Sequence, residues 1–179
     1  MYGFIATFDE KTDHIIKDIW KELNQKSISS YAYEVESRKP HITLASYNDL
    51  NQFDFMKQMD DYYNGKTVID ISFNTIGSFL NSGALFYTPT VTKDLIDFHN
   101  NHHKNFRHFN DDPSSLYSPD SWIPHCTIAN RLTAEKLSEA FNYCSRRNDT
   151  ILGQMVEVAL IDVSNKDRAP IIHSKKLVS

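Results

Sequence analysis

Two short segments of the chain repeat the same order of reactive residue types. Each has a histidine, an apolar residue, a threonine and a second apolar residue, and each follows a proline: Pro40-His41-Ile42-Thr43-Leu44 and Pro124-His125-Cys126-Thr127-Ile128. The two histidines are 84 residues apart. Imidazoles exchange protons near neutral pH, and hydroxyl groups donate hydrogen bonds to phosphate oxygens. The pair of motifs therefore indicates proton-transfer chemistry on a phosphate, provided that the fold brings them together.

Both motifs are predicted to be β-strands, in which side chains alternate between two faces. His41 and Thr43 then share one face, while Ile42 and Leu44 share the other. The second motif alternates in the same way, so each motif presents its polar pair to a cleft and its apolar pair to a core. Cys126 is expected to point away from the cleft, which argues against a role as nucleophile.

Two imidazoles and two hydroxyls around one small volume suit phosphodiester cleavage without a metal ion. A neutral imidazole takes the proton of the attacking water or hydroxyl, and a protonated imidazole gives its proton to the leaving oxygen. The threonine hydroxyls donate hydrogen bonds to the non-bridging oxygens as charge develops there. The sequence leaves open which histidine is the base.

The segments around the motifs also repeat. A strand pattern and then a helix pattern occur over 3–8 and 9–26, and again over 84–88 and 92–109. Each motif is followed by a helix pattern, over 51–64 and 133–147, and then by β-rich stretches, over 67–79 in the first half and over 151–163 and 170–178 in the second. An extra strand is predicted over 32–37, before the first motif. We therefore expect an α+β fold in one bilobal domain. Its two pseudo-symmetric β-α-β-α-β lobes, about 1–82 and about 83–179, would have antiparallel-rich sheets around a central cleft and helices outside.

The paired motifs and the duplicated topology resemble the two-histidine phosphoesterases, the 2′–5′ RNA ligase-like superfamily, and the resemblance covers nearly the whole chain. It implies a bilobal fold with a central cleft, no metal or other cofactor, and hydrolysis or ligation of cyclic or 2′-linked phosphates on nucleotides or RNA ends. It also implies that His41 and His125 are the acid–base pair and that Thr43 and Thr127 bind the phosphate.

A long loop over 110–122 leads into the second motif, and long loops in compact domains often bind ligands. Tyr117 and Trp122 in this loop are candidates for stacking on a nucleobase. An equal alternative is that Trp122 packs the interface between the lobes. Both interpretations are open at the level of sequence.

Basic residues flank both motifs. Arg131 follows the second motif, and Arg38 and Lys39 precede the first, so these side chains are candidates for neutralising a phosphate. Arg168, Lys175 and Lys176 are weaker candidates still. Basic residues are also common at exposed strand ends.

A histidine-rich helix segment has the spacing of a possible metal site. His99 and His103 are four residues apart, which can place two zinc ligands on one helix face. No glutamate follows His99, so the metalloprotease pattern is absent. A packed or solvated helix face is the favoured interpretation, and no metal site is expected.

Composition excludes several classes of protein. The 179 residues are 40% hydrophobic and 23% charged, which suits a compact domain rather than a disordered chain. A net formal charge of −4 argues against tracking the phosphates of a long duplex nucleic acid. The two cysteines indicate reduced core thiols, and we expect neither a signal peptide nor an apolar stretch long enough for a membrane span.

We therefore expect a cytoplasmic monomer that acts on a small nucleotide or an RNA-end phosphate, without a membrane or a cofactor. The alternative is a binding module that holds a nucleotide or RNA terminus and releases it unchanged. Opposed imidazoles argue against this alternative, because binding a phosphate does not require them.

Overall fold

A computed structural model describes residues 1–147 and 150–179. The strands in these ranges are β1 (Tyr2–Phe8), β2 (His41–Tyr47), β3 (Ile69–Gly77), β4 (Leu85–Pro89), β5 (Cys126–Ala129), β6 (Ile151–Asp162) and β7 (Ile171–Lys176). The helices are α1 (Glu10–Gln25), α2 (Gln52–Tyr63), α3 (Lys93–Asn105) and α4 (Ala134–Ser145). The fold is α+β, as the sequence predicted.

Each helix begins where the sequence supplies a capping side chain. Asp9, Asn51, Thr92 and Thr133 each accept a hydrogen bond from the backbone N–H three residues later. Such a cap contributes about 1 kcal/mol to stability. The caps explain why the starts of the helices agree with the patterns in the sequence.

The strands form one antiparallel sheet in the order β2-β1-β6-β3-β4-β5, and β7 also pairs with β6. The two expected sheets are joined because β6 is twelve residues long and pairs with strands from both halves of the chain. Its residues 151–155 pair with β3, and its residues 155–162 pair with β1. The last long strand of the chain therefore connects the two repeats.

The sheet curves until its edge strands meet. β2 and β5 lie at opposite ends of the strand order, yet they contact each other. The indole N–H of Trp122, just before β5, donates to the carbonyl oxygen of Thr43 in β2 at 2.9 Å. The buried thiol of Cys126 in β5 lies against the backbone of His41. This meeting of edges brings the two motifs together.

The main core lies between the sheet and the helices, and a histidine is part of it. The ring of His102 stacks on Phe4 and on Phe106, with centroid distances of 4.3 and 4.5 Å. The hydroxyls of Tyr47 and Tyr63 bond to its two nitrogens, each at 2.9 Å. His102 is thus a hydrogen-bonded core residue on the apolar stripe of α3.

The opposite, concave face of the sheet carries the polar residues of the first motif. Thr43 pairs with Ile5 of β1, and Ile5 pairs with Ala159 of β6. Directly opposite residues of neighbouring strands point to the same face. Ile5, Ala159 and Ile161 form a small apolar cluster there, separate from the main core.

Two predicted elements differ from the structure. The segment over 32–37 is not a strand, because Tyr31–Tyr33 forms a 3₁₀ turn and Glu36 makes an isolated bridge with Arg168. The helix predicted over 92–109 ends at Asn105, and the 3₁₀ turn Arg107–Phe109 follows. Across the described ranges, no helix combines the length and the apolar character that crossing a membrane requires.

Candidate active site

The two motif histidines are held in the same way. Nδ1 of His41 donates to the carbonyl oxygen of Lys39, and Nδ1 of His125 donates to that of Ile123, each at 2.7 Å. A carbonyl oxygen only accepts, so the proton of each neutral ring lies on Nδ1. In both rings Nε2 is therefore the nitrogen that can take up or release a proton during a reaction.

The surroundings favour the neutral form of both rings. Burial lowers the pKa of His41 below its usual 6.5, and the charges of Arg38 and His125 lower it further, while the bond to the Lys39 carbonyl opposes this shift. Burial likewise lowers the pKa of His125, and the bond to the Ile123 carbonyl opposes it. A charge on His125 also acts on His41, which agrees with the contact between β2 and β5.

Each motif threonine is contacted by a tyrosine from the other half of the chain. The hydroxyl of Tyr31 interacts with the side chain of Thr127, and that of Tyr117 interacts with the side chain of Thr43. Burial raises the pKa of both tyrosines, so both hydroxyls keep their protons at neutral pH. A tyrosine therefore lies beside each motif threonine.

A tryptophan binds the backbone of each motif in an equally symmetric way. The indole N–H of Trp20 in α1 donates to the carbonyl oxygen of Thr127 at 3.2 Å, and that of Trp122 donates to Thr43 at 2.9 Å. Trp122 is only 9% exposed, and its ring stacks on His99 at a centroid distance of 3.7 Å. Trp122 does not line the cavity described next, and it packs between the two halves of the chain.

A cavity of about 490 Å³ opens over the concave face beside His41 and Thr43. Tyr31 and Tyr117 also line it. Its basic lining residues are Arg38, Lys39, Arg131, Lys166 and Arg168, and no aspartate or glutamate is among the described lining residues. The cavity is therefore positive although the whole chain carries a net negative charge.

Arg38 is the basic residue best placed to bind an anion. Its guanidinium lies over the ring of Tyr31, with Cζ 3.8 Å from the centroid. Within the described ranges its Nε is buried and has no hydrogen-bond partner. An unsatisfied buried donor costs about 1–3 kcal/mol, so an acceptor on a bound ligand would be favourable at this position. Arg131 is more exposed, and its nearest acidic partner is Glu34 at 4.0 Å.

The second motif has an aromatic rather than a basic environment. The ring of His125 contacts Phe79 and Phe86, with centroid distances of 4.9 and 5.1 Å. His125 and Thr127 do not line the cavity beside His41. They adjoin it through Tyr31, which lines the cavity and contacts Thr127.

Two histidines of α3 donate hydrogen bonds to the backbone of the first motif. Nε2 of His99 donates to the carbonyl oxygens of Leu44 and Tyr117 at 3.0 and 2.9 Å, and Nε2 of His103 donates to Leu44 at 3.0 Å. Among the residues that the structure describes, no three metal-binding side chains form a group.

Sequence patterns gave no strong reason to select Trp20, Tyr31 or Phe79, because each meets its motif only through tertiary contacts. One weak signal was available. Tyr31 precedes His41 by ten residues, and Tyr117 precedes His125 by eight, so the repeat extends to a tyrosine in each half.

Comparisons with known proteins identify the family and the fold of the chain. Residues 11–167 match the family model described as the 2′–5′ RNA ligase superfamily. A comparison with curated proteins finds no match. Similar solved structures include E. coli LigT complexed with 3′-AMP, with 13% sequence identity and a TM-score of 0.60 over 99% of this chain and 98% of LigT.

Two further structures have the same fold. TT0787 of Thermus thermophilus is 14% identical, with a TM-score of 0.64 over 99% of this chain and 98% of its own. Usb1 of Kluyveromyces marxianus is 10% identical, with a TM-score of 0.51 over the same shares. These likenesses concern the fold, whereas the family model covers most of the sequence. The chain therefore belongs to the 2′–5′ RNA ligase superfamily of two-histidine phosphoesterases.

Proposed function

We propose that the protein is a metal-independent phosphoesterase that opens a cyclic phosphate or cleaves a 2′-linked phosphodiester on a nucleotide or RNA end. The observation that carries this proposal is the matched pair of imidazoles. Both bind a backbone carbonyl through Nδ1. His41 begins β2 and His125 directly precedes β5, and these two strands contact each other. Superfamily membership supports phosphoesterase or ligase-like chemistry, and LigT has been solved with 3′-AMP, ATP and NADP+.

In the proposed reaction, Nε2 of one neutral imidazole takes a proton from a water molecule that attacks phosphorus. The bond between phosphorus and the 2′ or 3′ oxygen breaks, and Nε2–H of the other, protonated imidazole gives its proton to that oxygen. The product is a phosphomonoester, and the two rings have exchanged protonation states. Exchange with solvent then restores the starting state. Either ring can begin as the base.

The remaining side chains act on the charge of the phosphate. The hydroxyls of Thr43 and Thr127 donate to non-bridging oxygens, and their tyrosine partners hold them in place. The partnerless Nε of Arg38 gives the site a donor for a further oxygen beside His41. Charge-assisted hydrogen bonds of this kind are about twice as strong as neutral ones.

The test is turnover of nucleoside 2′,3′-cyclic phosphates and 2′–5′ linked dinucleotides, followed by phosphorus NMR. His41→Ala and His125→Ala should each lower kcat by about 10²–10⁴-fold, the usual contribution of a positioned acid or base. The matched control is His108→Ala, which removes an exposed histidine outside the site and should leave kcat unchanged. Turnover that survives in both site variants contradicts the proposal.

One observation favours the alternative of a binding module. His125 and Thr127 do not line the cavity beside His41, so a ligand confined to that cavity would contact only the first motif. In that case the phosphorus spectrum of every substrate would stay unchanged while calorimetry showed binding. His41→Ala would then weaken binding, and His125→Ala would not.

A further inference from the structure

An extra residue in β2 sets the direction in which the first motif faces. The strand pairs with β1 residue by residue from Tyr47 to Ala45, and the pairing resumes at Thr43, so Leu44 is left without an opposite residue. This is a β-bulge, in which two residues of one strand lie opposite one residue of its neighbour. Leu44 and Ala45 both lie in the main core as a result. Thr43 and Ser46 both line the cavity.

Without the bulge, the polar residues of the first motif would face the other way. If the pairing of residues 45–47 continued unchanged, Leu44 would lie opposite Ile5. A slip of one residue moves every following side chain to the other face of the sheet. Thr43 and His41 would then face the core instead of the cavity. The bulge therefore makes the first motif available to a phosphate.

The second motif has a bulge at the equivalent position. The pairing of β5 with β4 shifts between Leu85 and Phe86, so Ile128 is left without an opposite residue. Ile128 follows the threonine of its motif, just as Leu44 does in the first half of the chain. The bulge is thus a repeated feature of both motifs and not an irregularity of one strand.

Two side chains of α3 bind the bulge in β2. Nε2 of His99 and Nε2 of His103 both donate to the carbonyl oxygen of Leu44, each at 3.0 Å. The two histidines are four residues apart, so they lie on the same face of the helix. A carbonyl oxygen has two lone pairs, and the two N–H groups together satisfy this one.

His99 also connects the bulge to the loop that leads into the second motif. Its Nε2–H lies 2.9 Å from the carbonyl oxygen of Tyr117. Its ring stacks on Trp122, whose indole N–H donates to the carbonyl oxygen of Thr43. His99 is only 1% exposed, and neither proton transfer nor phosphate binding uses it directly.

We propose that His99 and His103 are positioning residues for Thr43: they hold the bulge in place and so direct the threonine hydroxyl toward the phosphate. This inference rests on the proposed function for the role of Thr43 and adds the origin of its position. The two imidazoles act through the backbone of Leu44 and do not contact the substrate. Their spacing of four residues places two donors on one acceptor.

Two double variants that differ in one hydrogen-bond donor test this role. The donor-free variant, His99→Phe with His103→Leu, removes both N–H groups from the bulge and keeps an aromatic ring on Trp122. The one-donor variant, His99→Phe with His103→Gln, returns one side-chain N–H to the bulge. The matched control is His102→Phe on the same helix, because the nitrogens of this buried ring bond to tyrosine hydroxyls and not to the bulge.

Amide hydrogen exchange over residues 41–45 tests the hydrogen bonds without a ligand. Exchange should be about tenfold faster in the donor-free variant than in the wild type, and the one-donor variant should recover most of the protection. His102→Phe should leave exchange in this segment unchanged. Equal exchange in the donor-free variant and the wild type overturns the inference. An equal acceleration in His102→Phe also overturns it, because the effect would then come from lost stability.

The single variant His103→Leu keeps the experiment decisive if the donor-free variant fails to fold, because His99 still binds the bulge. Exchange over residues 41–45 should then be about threefold faster than in the wild type, since one of two donors is lost. Unchanged exchange in His103→Leu contradicts the inference.

Binding of 3′-AMP connects the bulge to the site. The dissociation constant should rise about tenfold in the donor-free variant, because the displaced hydroxyl of Thr43 loses a hydrogen bond to the charged phosphate. The one-donor variant should bind almost as tightly as the wild type. Partial unfolding would lower the stoichiometry and leave the dissociation constant unchanged, so calorimetry distinguishes a displaced threonine from a destabilised fold. An unchanged dissociation constant in the donor-free variant contradicts the inference.

Turnover separates this inference from the proposed function. In the donor-free variant kcat should fall by about 10²-fold, because displacing a reacting group by about 1 Å has an effect of this size. The one-donor variant should recover most of this loss. Normal turnover in the donor-free variant overturns the inference and leaves the proposed function intact. Absence of turnover in the wild type contradicts the proposed function, while the exchange measurement still decides the inference.

Discussion

The Nδ1–carbonyl bond gives each site histidine a single reactive nitrogen. Both bonds run to the residue two positions earlier in the chain, so the geometry is local to each motif and needs no carboxylate partner. A carboxylate would raise the pKa of an imidazole, whereas here burial lowers it in both rings. In the free protein, both imidazoles therefore lose their second proton at a lower pH than an exposed histidine does.

This weak hold on the proton predicts an acidic optimum. The reaction needs one neutral and one protonated ring, and the pKa of both rings lies below 6.5 in the free protein. As the pH rises above 6.5, the protonated ring is lost, so kcat/KM should fall. The profile of kcat/KM against pH should be bell-shaped, with its maximum below 6.5. A maximum above pH 7 would contradict the lowered pKa values.

At the scale of single residues, the alternation of side chains along a strand correctly predicted which residues of the first motif are buried. His41 and Thr43 are half-buried while Ile42 is fully buried, as the alternation required. The partnerless Nε of Arg38 could not be predicted in the same way, because it depends on the stacking of Arg38 on Tyr31. Contacts between residues distant in sequence set such a position.

At the scale of elements, two tryptophans connect the motif strands to the rest of the molecule. Trp20→Phe removes the donor to Thr127, and Trp122→Phe removes the donor to Thr43. Each change should lower kcat by about tenfold, because small displacements of reacting groups are costly. Each should also reduce the free energy of unfolding by about 1 kcal/mol.

Thr133→Ala is the matched control for stability, because it removes a helix cap that lies outside the site. It should lower the free energy of unfolding by about 1 kcal/mol and leave kcat unchanged. Comparable losses of kcat in the cap variant and in the tryptophan variants would show that reduced stability, and not the position of the motifs, causes the effect.

The elements themselves could be predicted where the sequence carried a local signal. Helical patterns in the sequence placed all four helices. The segment over 32–37 was wrongly predicted as a strand, because its pattern alone cannot show that no neighbouring strand is available there. The length of β6 and its pairing with both halves are likewise properties of the complete sheet.

At the scale of the whole molecule, the site depends on one curved sheet whose edges meet. Folding also buries histidines: among the eight in the chain, His41, His99, His102, His103 and His125 all have lowered pKa values. Burial is the main cause in each ring, and it lowers the pKa of His99 to about 4. The folded protein thus excludes protons that the unfolded chain accepts.

This difference predicts that the protein loses stability in the acidic range where its activity should be highest. The unfolded chain protonates its histidines near pH 6.5, whereas the folded state keeps these five rings neutral to lower pH. The free energy of unfolding should therefore fall as the pH decreases from about 7 to 5. Each ring contributes up to about 1.4 kcal/mol per pH unit below 6.5, until its own folded-state pKa is reached.

Urea unfolding at pH 7.5, 6.5 and 5.5 measures this dependence. His102→Phe removes one of the five rings and keeps the stacking between Phe4 and Phe106, although the hydroxyls of Tyr47 and Tyr63 lose their partner. The variant should be less stable at pH 7.5, yet its stability should depend less steeply on pH than that of the wild type. Equal slopes would mean that His102 takes up its proton equally in both states, contrary to its burial between two aromatic rings.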